Sequence, residues 1–145
     1  MNTHTAKRAK DIPGTRIRTL VADDSPFMLK VLAETLEAVA GSDLVGTASD
    51  GRQAVRKAFE LRPELVLLDH RMPGLDGIQA TRCIKGFKHP PLVVLVTSGN
   101  TPDCRARAKA AGADGFVDKG GDLQGQLHGT FHELLGARLE RSRPL

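Results

Sequence analysis

The stretch Leu65-Val66-Leu67-Leu68-Asp69-His70-Arg71-Met72-Pro73-Gly74-Leu75-Asp76-Gly77 decides how this chain is read. Four consecutive aliphatic residues without alternation are the pattern of a strand buried on both faces, as in a parallel sheet. The run stops at Asp69, and the Pro, Gly and Asp residues after it mark a turn. A second apolar run, Leu20-Val21-Ala22, also ends in acid, at the pair Asp23-Asp24. Two strands that each end in aspartate bring three carboxylates to one sheet edge. Three such charges cannot all stay ionised at close range without a cation. Hard oxygen ligands suit Mg²⁺. An aspartate beside that ion can act as a nucleophile toward a phosphoryl group.

Outward from this stretch, strands and helices alternate. Arg16 to Ala22 reads as a strand, and Asp24-Ser25-Pro26 as a helix start with proline in the first turn. Met28, Val31, Leu32, Thr35, Leu36 and Val39 recur at helical spacing up to Gly41. Leu44 to Thr47 is a short strand. Asp50-Gly51 opens a helix with Ala54, Val55, Ala58 and Phe59 on one face, stopped by Pro63. Glu64 to Leu68 is the third strand, and Ile78, Thr81 and Ile84 mark the third helix. Pro90-Pro91 precedes the β-rich run Leu92 to Val96. Thr101-Pro102-Asp103 starts a fourth helix ending at Gly112, Phe116-Val117 is a brief fifth strand, and Leu123, Leu127, Phe131, Leu134 and Leu135 give a last amphipathic helix. Five strands alternating with five helices predict a parallel sheet with right-handed crossovers. Ligands in such folds bind at the carboxyl ends of the strands, where Asp23, Asp24, Asp69, Thr97 and Lys119 all fall.

The 145 residues predict one domain with a proper core. Trp and Tyr are absent, so that core is aliphatic. No apolar run is long enough to span a bilayer, and no signal-peptide core follows the basic N-terminus, which points to the cytoplasm and to no membrane partner. Cys83 and Cys104 lack CxxC spacing and read as reduced thiols. The net charge of +4 sits at the ends: residues 1–14 carry Lys7, Arg8 and Lys10 against Asp11, and residues 137–145 carry Arg138, Arg141 and Arg143 against Glu140. The rest is neutral, which argues against a nucleic-acid-binding face. His128 and His132 lie one helical turn apart with no third ligand evident, and read as surface or packing residues.

Taken together, Asp23-Asp24, Asp69 with Met72-Pro73-x-x-Asp76-Gly77, Thr97 and Lys119 resemble the receiver domain of two-component response regulators. The resemblance spans roughly Arg16 to Leu135. It implies a flavodoxin-like, doubly wound α/β fold with a five-stranded parallel sheet in the order 2-1-3-4-5. The expected organisation is a disordered basic leader over 1–15, a receiver domain over 16–140 and a tail over 141–145. The segment from Asp43 to Lys85 looks like receivers of DNA-binding or methylesterase regulators. The end of the chain reads as a natural tail, so a stand-alone receiver is expected.

The resemblance also assigns roles. Asp69 is the phosphoacceptor. Asp24 binds Mg²⁺ directly and Asp23 through water, with Asp69 and the main-chain carbonyl of Arg71 as further ligands. The Thr97 hydroxyl and the Lys119 ammonium meet the phosphoryl group, Ser98 supplies the small side chain that access requires, and Phe116 stands at the switching aromatic. Arg71 and Gly99 occupy the positions that tune phosphoryl lifetime. The family commonly has proline after the lysine, joined by a cis bond; Gly120 stands here, and a cis non-proline bond costs about 2.5–4 kcal/mol, so a trans peptide is expected. Expected partners are a histidine kinase or histidine phosphotransfer protein as donor and a downstream protein target, with the chain a monomer or weak dimer. Two other readings stand beside this one. A Mg²⁺-dependent aspartyl phosphohydrolase usually carries a second aspartate two residues after its nucleophile, and here that residue is Arg71. A binding-only receiver that is never phosphorylated would normally have lost one or more of the five site residues.

Overall fold

In a computed structural model, residues 16–99 and 101–142 are described. The elements run β1 (Ile17–Ala22), α1 (Pro26–Glu37), β2 (Ser42–Ala48), α2 (Gly51–Leu61), β3 (Leu65–Asp69), α3 (Gly77–Lys85), β4 (Leu92–Thr97), α4 (Pro102–Ala110), β5 (Gly115–Asp118) and α5 (Leu123–Ser142). All four strand pairings are parallel, and the sheet order is β2-β1-β3-β4-β5. This is the doubly wound fold expected from the strand–helix alternation. The expected leader, 1–15, and residues 143–145 lie outside the described residues. α5 continues through residues 141 and 142.

Local chemistry sets the helix starts. Ser25, Asp50, Asp76 and Thr101 each sit in extended backbone and accept a hydrogen bond from an N–H three residues on. Asp76 and Gln79 complete a reciprocal capping box at α3. α1 and α4 place proline in the first turn, where no donor is lost. α2 ends on Arg62, whose left-handed φ of 51° closes the helix. Its last carbonyls, of Leu61 and Arg62, accept from the Arg18 guanidinium at 2.8 and 2.6 Å.

The period-two alternation of the strands divides the core between two faces. Leu20, Val66, Leu68 and Leu95 pack under α2, α3 and α4. Val21, Leu67 and Val96 pack under α1 and α5, against Leu32, Leu36, Leu127 and Phe131. Each such side chain stabilises by about 1.5–3 kcal/mol through removal from water. Several sequence boundaries move. β2 begins at Ser42 rather than Leu44, α1 stops at Glu37 before Gly41, β3 starts after Glu64, and α4 ends at Ala110. Phe59 shares one helical face with Ala54, Val55 and Ala58 in the spacing, yet it is 67% exposed and rests edge-on against Phe87 at 5.7 Å. Small Ala54 and Ala58 suffice to seat α2 on the sheet, and Phe59 lies beyond that stripe.

Candidate functional site

Parallel pairing of β1 and β3 sets Ala22 against Leu68, so Asp23 and Asp69 emerge side by side at the carboxyl edge. Pairing of β3 with β4 and of β4 with β5 brings Thr97 and Asp118 to the same edge. Asp23, Asp24 and Asp69 each offer a carboxylate oxygen, all within 4.8 Å of one another. Asp23 and Asp69 are buried and Asp24 is exposed. Lys119 bridges two of the three: its Nζ lies 2.8 Å from Asp23 Oδ2 and 2.9 Å from Asp69 Oδ1.

Burial pushes the Asp69 carboxyl above its ordinary 3.8, and the negative charges of Asp23 and Asp24 push the same way against the pull of Lys119. Burial pulls the Lys119 ammonium down, but its contacts with Asp23 and Asp69 outweigh this and hold it above 10.5. A folded-state pKa raised above the unfolded value means that the folded chain binds that proton more tightly. The contribution of Asp69 therefore favours folding at acid pH and is lost as pH rises through its folded pKa. Once ionised, the metal-free Asp69 carboxylate is disfavoured by its burial and by the charges of Asp23 and Asp24.

The donor set fits a hard divalent cation. Three carboxylates converge with one ammonium to offset them. Asp23 Oδ2 is buried and touches Lys119 without a directed hydrogen bond, so its lone pairs are incompletely used. Asp23 Oδ1 accepts from the Ser25 N–H at 2.9 Å, which holds the carboxyl in place. Beside the cluster a cavity of about 580 Å³ is lined by Asp24, His70, Arg71, Met72, Pro73 and Asp76, giving a reactant a route in.

Of the remaining expected residues, Thr97 ends β4 with Ser98 next to it, Arg71 follows β3 and Phe116 lies on β5. Thr97 is buried, and its hydroxyl accepts from the Gly99 N–H at 3.0 Å. Ser98 is exposed at the rim. Arg71 is exposed, and a Cβ built on Gly99 would lie 3.9 Å from its guanidinium, so positions 71 and 99 are neighbours. Phe116 is half-buried, with the Arg105 guanidinium 5.2 Å from its ring centroid. No cis peptide occurs among the described residues, so Lys119–Gly120 is trans as expected. His128 and His132 are exposed on α5, away from the cluster.

Three contacts escaped the sequence. Cys104 Sγ lies 3.5 Å from His70 Nδ1, linking the first turn of α4 to the residue after Asp69. Arg105 over Phe116 is the second. Gln126 on α5 grips the loop that carries Lys119 and is the third. The first joins residues 34 apart in the chain and the other two join neighbouring elements across a loop, and no spacing rule predicts either kind of contact.

The family model of the response regulator receiver domain matches residues 19–128. The chain belongs to that family. A protein-glutamate methylesterase/protein-glutamine glutaminase of Symbiobacterium thermophilum is 43% identical over 122 residues, which are 82% of this chain and 33% of the relative. The chain thus spans about a third of the length of such curated relatives. Among solved structures, the response regulator domain of Thermotoga maritima CheB is 33% identical, with a TM-score of 0.73 over 86% of this chain and 97% of that one. The receiver domain of a Pseudomonas aeruginosa sensor histidine kinase, described with a magnesium ion coordinated in its active-site cleft, is 26% identical. Its TM-score is 0.74 over 83% of this chain and 98% of that one. No helix among the described residues is long and apolar enough to cross a membrane.

Proposed function

We propose that this chain is a phosphoacceptor, taking a phosphoryl group onto Asp69 from the phosphohistidine of a histidine kinase or histidine phosphotransfer protein. The observation that carries this reading is the buried Asp69 carboxylate held between Lys119 and the pair Asp23 and Asp24. An Asp69 oxygen attacks phosphorus, a P–O bond forms, the P–N bond breaks, and the imidazole leaves with the bonding pair. Asp24 is the direct Mg²⁺ ligand in this reading, Asp23 a water-mediated one, with Asp69 and the Arg71 carbonyl completing the set; the ion would neutralise charge on the transferring group. Lys119 then exchanges its carboxylate partner for a phosphoryl oxygen. The test is transfer of radiolabel from a phosphorylated histidine donor to the chain, with label fixed as an acid-stable, base-labile adduct. A chain that takes no label from phosphohistidine or acetyl phosphate sinks the reading.

Output would follow from Thr97. Its hydroxyl accepts from the Gly99 N–H, which leaves its own O–H free to donate to a phosphoryl oxygen, and Phe116 and Arg105 lie on the neighbouring surface. A shift of that two-state surface would change affinity for a downstream protein. We place the chain in the cytoplasm, as a monomer or weak dimer. The methylesterase activity named in relatives belongs to proteins about three times as long, of which this chain matches about a third. The phosphohydrolase reading is weaker, because Arg71 stands where its acid/base carboxylate would be.

Mg²⁺ should stabilise the fold by relieving the carboxylate repulsion. At ten times its dissociation constant a ligand contributes about 1.4 kcal/mol, or roughly 3 °C in Tm for a domain of this size. Asp24→Ala should abolish that Mg²⁺-dependent rise and leave the metal-free Tm equal or higher, since Asp24 is exposed and adds only repulsion. Calorimetry of both chains with and without Mg²⁺ checks this, and an undiminished rise in the variant refutes the ligand role.

Phosphoryl lifetime should be long. Gly99 offers no group to orient an attacking water, and the Arg71 guanidinium lies beside it. Loss of label is expected over many minutes to hours, and Gly99→Gln should speed it about tenfold. Gln is a cleaner test than Glu, because a carboxylate at position 99 would pair with Arg71 instead of steering water. A wild-type phosphoaspartate gone within seconds overturns this expectation.

A further inference from the structure

Lys119 sits on a loop that runs directly into two glycines, Gly120 and Gly121, the most permissive backbone available. A side chain from the next helix, Gln126, meets the backbone of this loop at the end of β5. Gln126 Oε1 accepts from the N–H of Asp118 at 2.9 Å, while its Nε2 donates to the carbonyl of Asp118 at 2.9 Å and to that of Asp122 at 3.2 Å. One amide thus meets both backbone groups of the residue before Lys119, whose carbonyl also accepts from the Gly121 N–H at 3.2 Å, and ties them to Asp122 at the start of α5. The Asp118 carboxylate accepts from the Gly120 N–H at 2.9 Å, and the Lys119 N–H reaches the Thr97 carbonyl at 3.0 Å. The ends of the loop are fixed on β4 and α5, with Gln126 as the clamp between them.

We propose that Gln126 is the positioning residue for Lys119: its amide holds the end of β5 so that the ammonium meets Asp69 and Asp23 together. The proposal rests on the reading of Lys119 as the phosphoryl-binding cation. An amide is needed, because only an amide presents one acceptor to the N–H and donors to two carbonyls. Glutamate has the same shape but would set a carboxylate oxygen against both carbonyls.

The test uses the full chain with acetyl phosphate and Mg²⁺, in Gln126→Glu, Gln126→Ala, Lys119→Ala and the double variant Lys119→Ala with Gln126→Ala. Loss of the clamp should slow phosphorylation about tenfold and weaken beryllofluoride binding to match, a change equivalent to about 1.4 kcal/mol. Mg²⁺ affinity should stay within twofold, since the clamp touches none of the three carboxylates. A loss of fold alone would lower all three together. In the Lys119→Ala background the Gln126→Ala change should add nothing, because the clamp acts through that ammonium. Unaltered rates in both single Gln126 variants overturn the proposal, as does an equal slowing in the Lys119→Ala background. A Lys119→Ala chain that is phosphorylated at the wild-type rate overturns the underlying role of Lys119, and is recognised by that variant alone. Gln126→Ala carries the test should the charge introduced by Gln126→Glu prevent folding.

Discussion

An Asp69→Asn chain incubated with acetyl phosphate and Mg²⁺ is expected to show no mass gain, where the unaltered chain gains one phosphate. The amide keeps the shape of the carboxylate but has no anionic oxygen to attack phosphorus. The neighbouring acids are poor substitutes. Asp23 is fully buried, with one oxygen against Lys119 and the other fixed by the Ser25 N–H. Asp24 is exposed and lies beyond the reach of the salt bridges formed by Lys119. The fold should survive, because Lys119 keeps Asp23 as a partner and the burial cost of the Asp69 charge disappears. The variant's Tm should therefore fall by no more than a few degrees, and its metal-free stability should no longer decline as pH rises through the range where Asp69 ionises. Intact mass spectrometry and thermal melts at several pH values check both parts. A full phosphate adduct on this variant would place the acceptor elsewhere.

How far the sequence reached differs from element to element. The run Leu65–Leu68 announced a central parallel strand, because burial on both faces removes every reason for a polar residue. The two acidic strand ends then placed the carboxylates on one edge, since parallel strands all finish on the same side. The helix starts at Ser25, Asp50 and Thr101 are equally readable, as caps act within four residues, whereas Asp76 reads only as a turn residue and its capping box with Gln79 is found in the structure. The exposure of Phe59 was not legible because periodicity tells which face a residue shares, not how wide the buried stripe is. The clamp of Gln126 on Asp118, the Cys104–His70 contact and the seat of Arg105 on Phe116 were invisible for a different reason. Each depends on how a loop turns after its strand, and nothing in local propensity sets that angle.

The glycine that closes the deciding stretch carries the second large effect. Gly77 opens α3, and its N–H donates to the His70 carbonyl at 2.8 Å. A Cβ at this position would lie 2.2 Å from the Asp69 carbonyl oxygen and 2.9 Å from the His70 Cα. Both neighbours are backbone, so no rotamer change relieves the clash. The turn from Asp69 to Gly77 can fold back on itself only with hydrogen in that place, which gives the Asp-x-x-Met-Pro-x-x-Asp-Gly spacing a steric cause. Gly77→Ala must push α3 away from the end of β3, and should destabilise by about 3 kcal/mol, at the upper end for overpacking. The same movement drags the Asp69 backbone, so phosphoryl acceptance should fall even in the fraction that remains folded. Gly129→Ala is the matched control. It lies in α5 with nothing within 4 Å of its added Cβ, and should stabilise by about 0.5–1 kcal/mol through the better helix propensity of alanine. Denaturant melts of the two variants should therefore move in opposite directions, with acetyl phosphate labelling lost in one and kept in the other. A Gly77→Ala chain as stable and as readily labelled as the unaltered one would show that the turn relaxes without disturbing Asp69.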